Sequence, residues 1–226
     1  MLPELDIGVV GEAYRSFPNL LKHIGEHGST DLSAVAGIIH RTQDGTIKMT
    51  QSPKLLTSQE MDELPYPAWE MFPLERYWNN SDTLLSEASM GAKRRLDINA
   101  SYGCALICRF CWHLGLIGDT FQQETENGPD VFFTYDRTLR WHSPKYIVDM
   151  VRYWYDKHQI DMVAFLDENL MTMHRSSRGV WLPEICRLWI EAGLQPDCVK
   201  NGVPHDENCT HGVHWGGTSH AGQLDE

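Results

Sequence analysis

The chain has 226 residues, 42% hydrophobic and 22% charged, with a formal net charge of −12. That balance supports a packed core and argues against disorder, and the acidic excess argues against a nucleic-acid surface, which needs clustered Lys and Arg. No run of about 18 apolar residues occurs and the start lacks a signal-peptide pattern, while 6 cysteines in a chain this long do not make a secreted disulfide framework, so a reducing, cytoplasmic setting is expected.

In chain order, Asp6–Val10 is a short apolar run followed by Gly11-Glu12. Phe17, Leu20, Leu21 and Ile24 then recur at helical spacing, with Pro18 placed in a first turn and Gly25 and Gly28 as stops. This is one strand–turn–helix unit. His23 and His27 stand four apart on that helix, but no Cys or carboxylate partner is placed beside them, and a solvated face is the reading. Ala36–Arg41 and Thr46–Met49 flank Asp44-Gly45, a hairpin signal. The segment Met61–Tyr77 carries Pro65, Pro67 and Pro73 among aromatics; it is expected to lack regular structure and to strap across a neighbouring surface.

Leu96–Ala100 reads as a buried strand leading into Ser-Tyr-Gly-Cys-Ala-Leu-Ile-Cys-Arg-Phe-Cys-Trp-His-Leu, residues 101–114. Gly115–Thr134 reads as polar and irregular. Ser143-Pro144 opens a helix as N-cap and N1, with Ile147, Met150, Val151 and Trp154 as its buried stripe. Asp161–Leu166 is the next strand and ends in Asp167-Glu168-Asn169. Leu182, Ile185, Cys186, Trp189 and Ile190 mark a further helix ended by Gly193, with Cys186 on its apolar stripe. His211–Thr218 reads as a last strand. Strands alternating with helices predict an α/β fold with a parallel sheet or barrel.

Cys104, Cys108 and Cys111 form C-x3-C-x2-C. Thiolates so close in sequence converge on one point only in a tight loop. Zinc, an iron–sulfur cluster with one iron lacking a protein ligand, and three buried apolar cysteines are all compatible with such a loop. Cys198 and Cys209 flank a polar loop and show no second close-spaced pair of the kind a zinc ribbon has.

The triplet, with Gly103 before its first cysteine and Phe110 before its third, resembles the radical S-adenosylmethionine (SAM) enzymes. Gly11-Glu12, the hairpin, Asp62-Glu-Leu-Pro-Tyr-Pro-Ala-Trp69, Arg140-Trp-His-Ser-Pro144 and Phe165-Leu-Asp-Glu-Asn169 occur in an order similar to the subgroup with a cobalamin-binding domain ahead of the barrel. That subgroup includes methyltransferases and the anaerobic oxidative cyclase of chlorophyll synthesis. The resemblance implies a [4Fe–4S] cluster on Cys104, Cys108 and Cys111. Its open iron chelates SAM, and reductive cleavage yields a 5′-deoxyadenosyl radical for methyl transfer or oxidative cyclisation of a small-molecule substrate.

The resemblance further implies an electron donor such as flavodoxin or ferredoxin. Phe110 would shield the cluster, and Glu168 first, Asp167 second, would meet the ammonium of SAM at the carboxyl ends of the strands. A capping role before Asn169 is the alternative for this acidic pair. Residues 1–30 would be the last unit of a doubly wound cobalamin-binding domain, 31–95 a hairpin and linker, and 96–226 a partial (β/α) barrel of about three βα units. A full barrel takes about 250 residues, so the chain reads as truncated at both ends. There are departures: D-x-H-x-x-G is absent, leaving the cobalamin site incomplete, and His220 stands near where an Arg is expected after Trp215. The alternative function is a non-catalytic iron–sulfur or zinc-binding module.

Overall fold

A computed structural model of the chain describes residues 4–80, 92–104, 120–126, 128–133, 139–204, 209 and 211–219. These residues fall into two compact units, one from Met1–Thr57 with Gly103–Leu139 and one from Ser58–Tyr102 with Arg140–Glu226. Among the described residues no helix is long and apolar enough to cross a membrane.

In the first unit, β1 (Ile7–Val9) leads into α1 (Ala13–His27), and β2 (Ile38–Arg41) and β3 (Ile47–Met49) form the hairpin expected around Asp44-Gly45. The Asp44 carboxylate closes that turn by accepting from Thr42 Oγ1 at 2.5 Å and from the Thr46 N–H at 3.1 Å. These bonds hold its carboxyl down to about 2. β1 pairs antiparallel with β2, so the strand–helix unit and the hairpin share one three-stranded sheet in the order β1-β2-β3. α1 begins earlier than its apolar spacing suggests, which places Pro18 inside the helix. Only part of the expected stripe turns inward: Leu20 joins Leu32, Val35 and Ile38 in a small core with Ile24 against it, while Phe17 and Leu21 are exposed. His23 Nε2 lies 2.7 Å from the Asp31 carbonyl oxygen and 5.0 Å separates the His23 and His27 rings, in keeping with a surface pair.

The stretch expected to be irregular contains a second hairpin, β6 (Thr120–Thr125) with β7 (Gly128–Phe133), paired antiparallel. Gly128 of the Asn127-Gly128 dipeptide is the first residue of β7 and pairs with Thr125. The polar make-up of the flanking residues concealed the hairpin, because neither side offers a clean apolar alternation.

The second unit is built on a parallel sheet. β4 (Arg95–Ile98), β9 (Met162–Phe165) and β10 (His214–Gly217) lie in the order β10-β9-β4, with Leu96 and Trp215 both in register with Val163. All four residues of the central strand β9 are buried, the unbroken apolar run that a strand covered on both faces requires. β4 alternates buried and half-buried residues. α4 (Pro144–His158) connects β4 to β9, and α5 (Leu170–Ser176), α6 (Trp181–Glu191) and α7 (Asp197–Asn201) lie between β9 and β10.

The stripe read for α4 is the buried one: Ile147, Met150, Val151 and Trp154 are each no more than 2% exposed. They meet Val163 and Phe165 of the sheet and Trp181, Ile185 and Trp189 of α6 in one core. Cys186 departs from expectation and is exposed, because the face of α6 that meets this core is carried by Trp181, Ile185 and Trp189. A small antiparallel pair, β5 (Ser101–Tyr102) with β8 (Arg140–Trp141), sits beyond the end of β4.

The proline-rich segment carries more regular structure than its prolines suggest. α2 (Ser58–Met61), a 3-10 turn (Trp69–Met71) and α3 (Leu74–Asn80) alternate with its prolines, and Pro73 immediately precedes α3. It does act as a strap. Tyr66 packs edge-on against Tyr146 at 5.3 Å, and Trp78 Nε1 donates to the Arg95 carbonyl at 2.8 Å.

Candidate functional site

The carboxyl ends of parallel strands are where α/β folds place their chemistry, since loops there are free of the strand ladder. After β9 the side chains keep alternating: Leu166 is exposed, Asp167 buried, Glu168 exposed and Asn169 buried. The parity turns Asp167 inward and Glu168 outward. Asp167 is 2% exposed and its carboxylate is filled by the chain's own donors. Oδ2 accepts from the Ala100 N–H at 3.0 Å, while Oδ1 accepts from the Ser101 N–H at 2.6 Å and Ser101 Oγ at 2.5 Å. Burial pushes this carboxyl up, against the pull of those hydrogen bonds.

Asp167 is thus a brace. It fixes the corner at Ala100–Ser101, where β4 hands over to β5. Ala100 is held from the other side too, its carbonyl accepting from the His142 N–H at 2.8 Å. The loops after β9 and β10 are also tied together: Thr218 Oγ1 donates to the Asp167 carbonyl at 3.0 Å, and the Leu170 N–H donates to the Thr218 carbonyl at 2.9 Å. Asn169 is the N-cap of α5 by position but makes no side-chain capping bond.

Cys104 follows β5 directly in sequence after Gly103, whose φ of +98° is one that favours glycine. The Cys104 thiol is free and half-buried. Cys108, Cys111 and Phe110 lie outside the described residues, as does His220. Gly216 and Gly217 are part of β10, and a Cβ at Gly217 would meet Phe165 Cβ and Leu170 Cδ2 at 3.3 Å, so the glycine serves close strand packing.

The segments 62–69 and 140–144 meet at one clip. Asp62 Oδ1 accepts from the Ser143 N–H at 2.9 Å and lies 3.2 Å from His142 Nδ1. The His142 ring stacks on Tyr146 with centroids 4.2 Å apart, and Tyr146 Oη donates to the Leu64 carbonyl at 3.2 Å. Burial lowers the His142 pKa more than Asp62 raises it. Sequence reasoning read a strap in the proline-rich segment and a helix start in Ser143-Pro144; the missing information was that the two touch.

No protein-family model matches the chain. Over 210 residues, 85% of its length, it is 25% identical to cytidylyl-2-hydroxyethylphosphonate methyltransferase of Streptomyces wedmorensis. The match covers 34% of that protein, so the chain spans about a third of this curated relative. Among solved structures it is similar to apo, selenomethionine-labelled OxsB, a cobalamin-dependent S-adenosylmethionine radical enzyme. The TM-score is 0.49 at 17% identity, covering 82% of this chain and 21% of that one. OxsB with aqua-cobalamin and S-adenosylmethionine bound aligns with a TM-score of 0.49 at 16% identity, covering 80% of this chain and 20% of that one. The described residues of this chain form a mixed α/β structure with a parallel sheet.

Proposed function

We propose that the chain is part of a radical SAM enzyme in which Cys104, Cys108 and Cys111 hold a [4Fe–4S] cluster. The observation that carries this reading is the C-x3-C-x2-C triplet that follows β4 and β5 in the sequence, with Cys104 a half-buried thiol outside any disulfide. Three thiolates suit a cubane with one iron left for a small ligand. When bound, such a cluster supplies the electron that splits SAM into methionine and a 5′-deoxyadenosyl radical. The curated relative is a methyltransferase, which favours methyl transfer over oxidative cyclisation.

The chain's own residues divide the work. The cysteines bind the metal, and Phe110, adjacent to Cys111, excludes water from it. Glu168, exposed after β9, is the carboxylate that would meet the SAM ammonium. Asp167 is filled by Ala100 and Ser101 and shapes the corner from which the cysteine segment departs. The three parallel strands are the start of a barrel, and residues 1–30 are the last unit of a cobalamin-binding domain. A small-molecule substrate, an electron donor of the flavodoxin or ferredoxin kind and a cytoplasmic setting complete this reading.

The test is anaerobic reconstitution with iron and sulfide. About four irons per chain are expected, with Cys104→Ala, Cys108→Ala or Cys111→Ala each abolishing the visible absorption. Glu168→Ala should weaken SAM binding and leave the iron content unchanged. A folded wild-type chain that takes up no iron overturns the cluster assignment. Unchanged SAM affinity in Glu168→Ala returns that residue to the surface.

A further inference from the structure

A second set of metal-binding donors lies away from the cysteine triplet. Cys198 stands on α7, Cys209 in the segment beyond it, and His214 opens β10. Their ligand atoms all lie within 4.8 Å of one another. Cys198 Sγ is 3.6 Å from His214 Nε2, and Cys209 Sγ is 4.0 Å from the same nitrogen. Zinc bonds of about 2.3 Å to sulfur and about 2.0–2.1 Å to nitrogen, at tetrahedral angles, put sulfur and nitrogen about 3.6 Å apart. The observed spacing is therefore close to the edge of a zinc tetrahedron. Neither thiol is in a disulfide, Cys198 is buried, and Cys209 and His214 are half-buried.

The backbone holds these donors in place. The His214 N–H donates to the Asp161 carbonyl at 2.8 Å, and the Val213 N–H to the Leu194 carbonyl at 2.8 Å. The Asp197 N–H reaches the His211 carbonyl at 3.4 Å, which joins the start of α7 to the approach to β10. That closeness depends on Gly212: its φ is +87°, and a Cβ there would lie 2.6 Å from the Gln195 carbonyl oxygen and from Pro196. The Cys198 N–H points at Cys209 Sγ at 3.3 Å, which ties the two cysteines to one another.

We propose that Cys198, Cys209 and His214 bind a zinc ion that fastens α7 and the Cys209 segment to strand β10. Two thiolates and an imidazole select zinc over the hard, oxygen-seeking magnesium and calcium. Water takes the fourth position. The site is independent of the cluster proposal because the two share no ligand.

The experiment uses the full chain with Cys104, Cys108 and Cys111 all changed to Ser, purified anaerobically under reducing conditions and titrated with cobalt(II). One equivalent should bind with the strong visible bands of tetrahedral cobalt and a thiolate charge-transfer band, and zinc should displace it. Cys198→Ser or Cys209→Ser in that background should weaken cobalt binding by more than about 100-fold, beyond the loss that outer-shell changes cause. His214→Ala should remove the tetrahedral spectrum.

If the background variant does not fold, the unmodified chain decides. Zinc should then be found in addition to iron after reconstitution, and a zinc chelator should lower its Tm. Octahedral or absent cobalt in a folded chain, zinc uptake indifferent to Cys198→Ser, or a Cys198–Cys209 disulfide in the reduced, anaerobic protein each overturns the site. Loss of the triplet's iron with retention of zinc would remove only the cluster reading.

Discussion

At Asp167 a single carboxylate gathers three donors from the two consecutive residues, Ala100 and Ser101, of the corner between β4 and β5. No neutral side chain of the same shape replaces it. In Asp167→Asn one oxygen becomes an NH2 group, which meets either the Ala100 N–H or the Ser101 N–H and leaves it unpaired. A buried donor without a partner costs about 1–3 kcal/mol, and the expected loss of unfolding free energy lies in that range. Urea unfolding of Asp167→Asn against wild type checks it; a variant within about 0.5 kcal/mol of wild type, as an ordinary surface change gives, would show that the brace carries no strain-free load. Glu168, one residue on, is exposed, and its replacement by Ala is expected to leave stability unchanged. The two adjacent acids are thus separable, one by stability and the other by ligand affinity.

At the scale of the element, α4 shows how local and tertiary signals combine. Ser143 accepts from the Tyr146 N–H at 3.1 Å, and Pro144 follows at the first helical position, so the start of the helix is written in two residues. Asp62 adds a second acceptor from the strap, for the Ser143 N–H itself. Ser143→Ala should cost about 1 kcal/mol, the usual price of a lost N-cap. Asp62→Ala should cost about 1–3 kcal/mol, because it strips the Ser143 N–H and the His142 ring of their shared acceptor. Denaturant melts of the two single variants and the double variant would measure this. Strict additivity would mean that cap and clip act separately, and a smaller combined loss that they hold the same turn.

For the whole molecule, His142 couples the strap, the helix start and the corner at Ala100 to pH. Burial lowers its pKa below the ordinary value of about 6.5 that the unfolded chain keeps. Below that pH the unfolded chain takes up a proton that the folded chain resists, so this contribution is complete above about 6.5 and is lost as pH falls through it. Asp167, raised by burial, acts with the opposite sign, since the folded chain holds its proton more tightly. The difference between wild type and His142→Asn isolates the histidine. Wild-type Tm should fall more steeply than the variant's between pH 7.5 and pH 5.5; parallel curves would remove His142 from the account.

The sequence by itself determined the elements whose cause is local. The apolar stripe of α4, the Ser143-Pro144 start, the Asp44-Gly45 turn and the apolar run of β9 each follow from a few neighbouring residues, and each is found where it was read. The cysteine triplet is legible for the same reason, because its members are close in sequence. What depends on distant residues meeting was decided only by the tertiary structure. Which acid after β9 faces inward was settled by the Ala100 and Ser101 donors, more than 60 positions upstream. Cys186 lies on the apolar side of its helix by periodicity, yet the three larger residues of α6 occupy the core and leave it outside. Cys198, Cys209 and His214 look unrelated along the chain, and converge because Gly212 lets two backbones approach more closely than any Cβ would permit.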